Sequence, residues 1–223
     1  AQIDELKRIR YTTSHPNDFT EDLIQVHKSC KKLMPLIHLP VQSGSNKILK
    51  QMNRKHTIEE YVQLVDKLKR TNSNVQLSSD FILGYPGETE EDFEKTVNLV
   101  NKIGFINTFS FIYSARPGTP SSNLKKIDNN LAKKRLTIFQ NISKKIKTKY
   151  REKLLNNIVQ VLFENKTRVK NMYFGRDACF NSVIVESNEN LTGKIKNIEI
   201  TKISHNTLFG EISSRLTHKE CAA

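Results

Sequence analysis

The sequence has few of the residues that build disulfide frameworks, cysteine metal sites or membrane spans. Its three cysteines, Cys30, Cys179 and Cys221, form neither a CxxC nor a CxxxCxxC motif. Scattered cysteines in odd number are typical of reduced thiols, and their spacing predicts no metal site. No apolar run reaches the roughly 20 residues that cross a bilayer, and residues 1–7 carry no apolar signal-peptide core. We therefore expect a cytoplasmic protein without membrane contact.

Acidic residues are in the minority. The chain has 36 lysines and arginines against 23 acids, a formal charge of +13, and this excess favours a polyanionic partner. Eleven of the basic residues but only two acids lie at 121–155, where the apolar spacing predicts one long helix from 130 to about 155. A charge run is usually a solvated helix face, but this concentration favours a surface that follows phosphates. Its candidate RNA-binding residues are Lys133, Lys134, Lys144 and Lys145.

Strand and helix patterns alternate through the first part of the chain. Strands are expected at 9–13, 36–42, 75–83 and 106–114, with helices between them. This alternation predicts an α/β fold with a parallel sheet and right-handed crossovers. Four strands are too few to close an eight-stranded barrel. We therefore expect a partial parallel (β/α) barrel over residues 1–150, the long basic helix included.

Apolar and polar side chains alternate along these strands, which predicts two different faces. The set expected to pack under the helices is Ile37, Leu39, Val41, Leu77, Phe81, Leu83, Phe109, Phe111 and Tyr113. The set expected on the opposite face is Arg10, Thr12, His38, Gln42, Ser78, Asp80, Ile82, Thr108, Ser110, Ile112 and Ser114. A polar interior costs stability unless its groups are hydrogen-bonded. We interpret this face as the lining of a solvated or ligand-filled cavity; an internally hydrogen-bonded core is the alternative.

The stretch 78–89 concentrates these signals. A strand ends in Gly84-Tyr85-Pro86-Gly87, which cannot continue a strand and predicts a turn. Thr89 is placed to cap the next helix, whose first turn is acidic. Asp80 is the one charged residue of the strand expected at 75–83. Because the carboxyl ends of parallel strands carry ligand sites, residues 80–84 are expected to line one.

The composition changes at about residue 151. Short apolar runs at 158–163, 180–185, 194–203 and 208–212 are separated by Asn, Gly and Ser, which predicts strands without helices. We expect a small antiparallel, OB-like β-barrel over 151–213 and a disordered tail over 214–223. Arg168, Lys170 and Arg176, close in sequence to Tyr173 and Phe174, are candidate RNA contacts. A purely structural barrel with core aromatics is the alternative.

Four short sequence motifs form a recognisable pattern when they are considered together. They are RIRYTTSHP at 8–16, HLPVQSGS at 38–45, DFILGYPGET at 80–89 and YSARPGTP at 113–120. In their order and spacing they resemble the methylthiotransferases of the radical S-adenosylmethionine class. MNRKHT at 52–57 resembles the MiaB-type tRNA branch more than the ribosomal-protein branch, which stays the alternative. The module from about 151 resembles the TRAM domain that ends these enzymes.

This resemblance implies a transferase that adds a methylthio group to isopentenylated adenosine beside the tRNA anticodon. It implies S-adenosylmethionine and [4Fe-4S] clusters as cofactors, and a tRNA anticodon stem-loop as the partner. On the matched positions, the residues implied near S-adenosylmethionine are Gln42, Ser43, Ser45, Asp80, Ile82 and Gly84. Arg10, Thr12 and Arg116 are weaker candidates on the same grounds.

The chain departs from the family in one respect. It contains no CxxxCxxC loop for the radical-generating cluster and nothing that matches the family's amino-terminal domain. We expect a monomeric carboxy-terminal portion that is inactive alone, whether as a fragment, a truncated chain or a split-gene product completed by an amino-terminal half. Two rival hypotheses are an RNA-binding protein without catalysis, and an unrelated half-barrel enzyme that holds a phosphorylated metabolite with Arg116 and the helix that starts at Thr89.

Overall fold

The computed structural model describes residues 2–13 and 15–214, so the expected tail lies outside the described residues except for Ser214. The chain divides into two compact units between Lys147 and Thr148. The first contains α1 (Glu21–Ser29), β1 (Leu36–His38), α2 (Asn46–Gln51), α3 (Ile58–Thr71), β2 (Gln76–Leu83), α4 (Glu90–Ile103), β3 (Asn107–Ile112) and most of α5 (Asn129–Glu152). In the described part, no helix is both long and apolar enough to span a membrane.

The strands of the first unit form a parallel sheet in the order β1-β2-β3, as the alternating pattern predicted. Ile37 pairs with Leu77 across β1 and β2, and Asp80 pairs with Phe109 across β2 and β3. The expected strand at 9–13 is wrong. This segment forms only two isolated bridges, Ile9 with Leu33 and Thr12 with His38. With only three residues, β1 offers too short an edge for a longer ladder.

Helix α4 begins at the Thr89 cap, as the sequence predicted, and α5 begins at Asn129, one residue before its predicted start. Thr57 and Glu60 form a complete capping box at α3, and Thr89 and Asp92 form another at α4. Their apolar stripes cover one side of the sheet, where Ile37, Leu39, Val41, Tyr61, Val65, Leu68, Leu77, Phe81, Leu83, Phe93 and Val100 form one core. The polar strand positions are therefore left on the other side.

Helix α5 is less uniformly cationic on its surface than its composition suggested. Phe139 is wholly buried, and Leu136, Ile142 and Ile146 pack on the core as expected. Arg135, however, is also buried at 3% exposure and pairs with Glu88. The sequence of a basic helix therefore does not show which of its cations face solvent and which face a buried acid.

The second unit is a closed five-stranded barrel. Its strands are β4 (Ile158–Lys166), β5 (Met172–Arg176), β6 (Ser182–Glu186), β7 (Ile195–Ile203) and β8 (Thr207–Ile212), in the order β4-β5-β6-β8-β7, and β7 closes on β4. Four of these pairings are antiparallel but β6 and β8 are parallel, so the expected purely antiparallel barrel is corrected to a mixed one. Strand β5 was not predicted.

Candidate functional site

His38 and Asp80 form the polar centre of the exposed side of the sheet. His38 Nε2 lies 3.5 Å from Asp80 Oδ2, and His38 Nδ1 lies 3.0 Å from Ser78 Oγ. The side chains of His38 and Asp80 keep 21% and 31% of their exposure. The pair comes together because β1 and β2 are parallel neighbours, so polar positions in register share one face. A carboxylate and an imidazole that remain accessible can hydrogen-bond a polar ligand.

Phe109 and Phe111 share this face, contrary to the expectation that they pack under the helices. Phe109 pairs with Asp80 and Phe111 with Ile82, and the two rings are 52% and 57% exposed. The opposite face of β3 carries Thr108, Ser110 and Ile112, which are half-buried. Gln140 of α5 donates to Ser110 Oγ on this face at 3.5 Å. Alternation in β3 was therefore predicted correctly, but its direction was reversed.

Phe109 makes the face suitable for a flat ring as well as for polar groups. The His38 ring meets Phe109 edge-on, with ring centroids 5.9 Å apart. Aromatic rings next to hydrogen-bonding groups are the usual lining of nucleobase and nucleoside sites. The site therefore combines a carboxylate, an imidazole and two exposed rings.

Arg54 adds a cation that the strand patterns did not reveal. Burial lowers the pKa of its guanidinium, and the nearby Asp80 carboxylate acts in the opposite direction. The Arg54 charge also acts on His15 and His56, whose rings meet edge-on with centroids 5.1 Å apart. Burial lowers the pKa of His56 to about 4. The signal for Arg54 was the MNRKHT stretch, which sequence reasoning used only for the family resemblance.

Gln42 lies after β1 and Gly84 directly follows β2, and both residues have left-handed backbone. Gln42 has φ of 74°, and its amide donates to the Asp80 carbonyl at 3.0 Å while its carbonyl accepts from Ile82 at 2.9 Å. Gly84 has φ of 72°, and its amide donates to Glu88 Oε2 at 2.9 Å. A side chain at Gly84 would also meet Ala132 at 2.9 Å. Backbone hydrogen bonds thus hold Gln42, Asp80 and Ile82 together, and Glu88 holds Gly84 beside them.

Ser43 and Ser45 are directed to helix α4. Ser45 Oγ donates to Asp92 Oδ1 at 2.7 Å, and Ser43 Oγ lies 3.4 Å from Thr96 Oγ1. Both serines are 1% exposed. Between them Gly44 approaches so closely that a Cβ would lie 2.5 Å from the Lys95 carbonyl. Their observed hydrogen bonds fix this loop against α4, and their predicted contact with S-adenosylmethionine stays a prediction.

The remaining candidates lie in exposed segments. Arg10 and Thr12 are exposed, and Thr12 is joined to the His38 position through its bridge. Arg116 is exposed in the loop after β3, where its carbonyl accepts from the backbone and hydroxyl of Thr119. The structure therefore brings His38, Gln42 and Asp80 together more closely than it brings these three.

The predicted RNA-binding residues are accessible in each unit. Lys133, Lys134, Lys144 and Lys145 are exposed on α5, and Arg168 and Lys170 are exposed in the β4–β5 loop. Arg176 is half-buried because its guanidinium lies over the rings of Phe174 and Phe180. Phe180 was placed in a strand by the sequence pattern, but it lies in the loop between β5 and β6.

The described residues do not fit an iron–sulfur cluster. Within 2–13 and 15–214, no group of three or more His, Cys, Asp or Glu side chains is arranged to hold a metal ion. Cys30 and Cys179 are free thiols in different units, and Cys221 lies outside the described residues. No step in the chemistry is therefore assigned to a cluster held by these side chains.

Comparisons with known proteins confirm the resemblance inferred from the motifs. The radical SAM superfamily model matches residues 1–100. A tRNA-2-methylthio-N(6)-dimethylallyladenosine synthase from Pelagibacter ubique is 50% identical over 95% of this chain and 47% of its own length. Its namesake from Rickettsia felis is 44% identical over 95% of this chain and 48% of its own. The chain thus spans about half the length of the curated relatives that it matches.

A solved structure supports the fold. Coproporphyrinogen III oxidase (HemN) from Escherichia coli, a radical SAM enzyme, matches with a TM-score of 0.50 at 14% identity, over 93% of this chain and 51% of that one. At this identity the likeness concerns architecture alone. It agrees with the parallel β/α arrangement of the first unit.

Proposed function

We propose that this chain, a homologue of the tRNA-2-methylthio-N(6)-dimethylallyladenosine synthases, supplies the ligand-positioning portion of an enzyme that methylthiolates isopentenylated adenosine in tRNA. The observation that carries the proposal is identity of 44–50% over 95% of the chain, through both compact units. A tRNA substrate implies action in the cytoplasm. The portion acts by holding the cofactor and the RNA, since the described residues offer no cluster ligands.

The exposed face of the sheet is the proposed site for S-adenosylmethionine. S-adenosylmethionine bound there would supply the radical that removes hydrogen from the base, once a one-electron reductant held outside the described residues cleaves it, and a second S-adenosylmethionine would supply the methyl group. Asp80 fits a polar nucleoside because its carboxylate is accessible and accepts hydrogen bonds. Gln42, Ile82 and Gly84 hold the backbone around Asp80, and Phe109 supplies a ring beside it. Arg10, Thr12, Ser43, Ser45 and Arg116 remain part of the proposal as peripheral candidates.

The barrel is proposed to act as a TRAM-type RNA-binding domain. Closed five-stranded barrels of the OB type bind oligonucleotides on the face of their second and third strands, here β5 and β6. Arg168, Lys170 and Arg176 would contact the tRNA anticodon stem-loop, and Lys133, Lys134, Lys144 and Lys145 would follow phosphates along α5. The accessibility of these cations in both units supports this role.

A chimera tests the proposal. The part of the Pelagibacter ubique relative outside the matched region is fused to this chain, and the chimera is expressed in a strain that lacks methylthio-adenosine in its tRNA. Mass spectrometry of tRNA hydrolysates should detect the methylthiolated base. The same chimera with Asp80→Asn should lose at least roughly 10-fold of the product if Asp80 holds the cofactor, whereas exposed Asp66→Asn should not change it.

The outcomes separate the rival functions. A folded chimera without product, combined with salt-dependent tRNA binding by this chain, would establish the RNA-binding protein without catalysis. A methylthiolated ribosomal protein in place of tRNA would establish the ribosomal-protein branch. Failure of both product and tRNA binding would reject the proposal as a whole.

A further inference from the structure

One outer surface of the barrel concentrates aromatic rings and cations. Phe174, Ile184 and Phe209 occupy successive register positions on β5, β6 and β8, so their side chains share the outer face. Their strand neighbours Tyr173, Val183, Val185 and Leu208 are buried in the core. Lys202 of β7 pairs with Phe209 of β8, and the Lys202 ammonium lies 5.9 Å from the centroid of the Phe209 ring. The outer row is thus apolar in a position where a barrel surface faces solvent.

Phe180 extends this row in a conformation that costs energy. Its ring is 46% exposed, and its backbone has φ of 66°, in the left-handed region that bulky residues rarely adopt. The Arg176 guanidinium lies 4.1 Å from the Phe180 ring centroid and 5.1 Å from that of Phe174. We define Phe174, Arg176, Phe180, Phe209 and Lys202 as the stacking surface. Strained backbone of this kind persists where the surrounding structure over-determines it.

A buried hydrogen-bond network holds Phe180 in place. Asp177 accepts from the Asn181 amide at 2.8 Å and from the Asn181 side chain at 2.7 Å. The Phe180 amide donates to the Asp177 carbonyl at 3.2 Å, which closes the turn. Asp177 and Asn181 are each 3% exposed. The loop therefore presents an apolar ring to solvent from a fixed support, so little ordering entropy is lost when a partner binds.

From these observations we infer that the stacking surface binds unpaired bases of a single-stranded RNA segment. Bases of any sequence stack on aromatic rings, and arginine beside the rings adds cation–π attraction and a phosphate contact. Lys202, together with the guanidinium of Arg176, whose Nε also lies 3.3 Å from Glu164 Oε1, suits a polyanion better than an uncharged apolar partner. This inference rests on the proposed function, because it assigns a particular contact to the proposed RNA partner.

Fluorescence anisotropy with two labelled RNAs tests the inference. One is a hairpin with an unpaired loop, and the other is a fully paired duplex of the same length. The full chain should bind the hairpin more tightly than the duplex. Phe180→Gly should weaken hairpin binding by roughly 10-fold or more and leave duplex binding unchanged. Glycine accepts the left-handed backbone, so this variant removes the ring without disturbing the loop.

Two further variants complete the design. Val169→Ala removes an apolar side chain that is 64% exposed, in the loop before β5, and it should not change either affinity. Phe180→Trp should bind the hairpin about as tightly as wild type does, because tryptophan keeps a stacking ring at this position. The salt dependence of hairpin binding should have the same slope in wild type and Phe180→Gly, since no cation is lost.

The results distinguish this inference from the proposed function. If wild type binds the hairpin and Phe180→Gly binds it equally well, the stacking surface is not used, while the proposed RNA partner stands. If wild type binds neither RNA, the proposed RNA partner and the stacking contact both fail. Equal loss of hairpin and duplex binding in Phe180→Gly would also overturn the inference, because it would show a contact that does not depend on unpaired bases.

Discussion

Arg135 Nη1 donates to both the carbonyl oxygen and Oε2 of Glu88, at 3.1 and 2.8 Å, and both side chains are almost wholly buried. The same Glu88 oxygen accepts from the Gly84 amide at 2.9 Å. This ion pair joins α5 to the turn that follows β2, the strand of Asp80, and Arg135 Nη2 makes a second ion pair with the exposed Glu90 at 2.9 Å. Removing either charge leaves the other buried without that partner, which is far more costly than losing a surface pair.

Arg135→Met should destabilise the first unit by about 3–5 kcal/mol. Unfolding in guanidinium chloride, monitored by circular dichroism, measures the loss. The control is Lys133→Met, at an exposed position two residues earlier, and it should change the free energy of unfolding by no more than about 0.5 kcal/mol. Burial raises the pKa of Glu88, so protonation relieves the unpaired carboxylate and the loss should shrink as the pH is lowered. A double variant, Arg135→Met with Glu88→Leu, should recover much of the stability; no recovery would contradict a buried-charge explanation.

His56 should make stability depend on pH. Burial lowers its pKa to about 4 in the folded chain, whereas an unfolded histidine titrates near about 6.5. Between these values the unfolded state binds more protons, so stability is complete above about pH 7 and falls as the pH decreases toward about 4. The contribution is of order 1–3 kcal/mol. His15, Arg54 and Glu60 also act on this pKa and belong in the titration.

Unfolding curves of wild type and His56→Leu across this pH range measure the effect. The difference between the two chains should change as the pH falls, because only wild type loses the contribution of a neutral His56. His205→Gln, at an exposed position of the second unit, should follow wild type. Nuclear magnetic resonance titration of the His56 ring supplies an independent value. A ring that titrates near about 6.5 would show that its burial has no electrostatic effect.

Gly44 and Gly104 should respond differently to asparagine. Gly104 ends α4 with φ of 74°, and a Cβ added there would have no neighbour within 4 Å. Asparagine accepts left-handed backbone with a small penalty. Gly44→Asn instead places a Cβ 2.5 Å from the Lys95 carbonyl. Gly104→Asn should cost within about 1 kcal/mol, while Gly44→Asn should cost about 3 kcal/mol or more. Thermal unfolding compares them directly, and equal losses would be inconsistent with the close approach of Gly44 to α4.

Reconstitution with iron and sulfide should leave the purified chain without a stoichiometric cluster. The expected spectrum lacks sulfur-to-iron charge-transfer absorbance, because the described side chains present no set of three ligands. Iron and sulfide analysis per chain provides the number to compare, and a Cys30→Ser, Cys179→Ser variant shows the level of adventitious iron. One cluster per chain in wild type that disappears in this variant would overturn the prediction.

The sequence revealed the face that carries Asp80 because polar positions on β1 and β2 alternate with apolar ones that a helix layer must cover. It did not reveal which way β3 points. Phe109 and Phe111 satisfy an alternating pattern in either direction, and the choice depends on contacts with distant elements, such as the hydrogen bond from Gln140 of α5 to Ser110. Periodicity defines faces; tertiary contacts decide which face is buried.

The sequence also did not reveal which basic residues of α5 are buried. Arg135 stands in a lysine-rich helix, and only its pairing with Glu88, far away in the sequence, makes it a buried residue. Phe180 was assigned to a strand because aromatic residues favour strands, while the Asp177–Asn181 hydrogen bonds place it in a turn. In both cases the deciding interaction joins residues whose relation is not visible in local composition.

Strand β3 lies at one edge of the three-stranded sheet and carries two exposed phenylalanines. An edge with unpaired backbone groups and apolar side chains is a template for intermolecular strand addition. The chain is therefore expected to be a monomer only at low protein concentration. We expect this chain to associate edge to edge at high protein concentration, and dilution or a mild detergent that covers the rings should reverse that association.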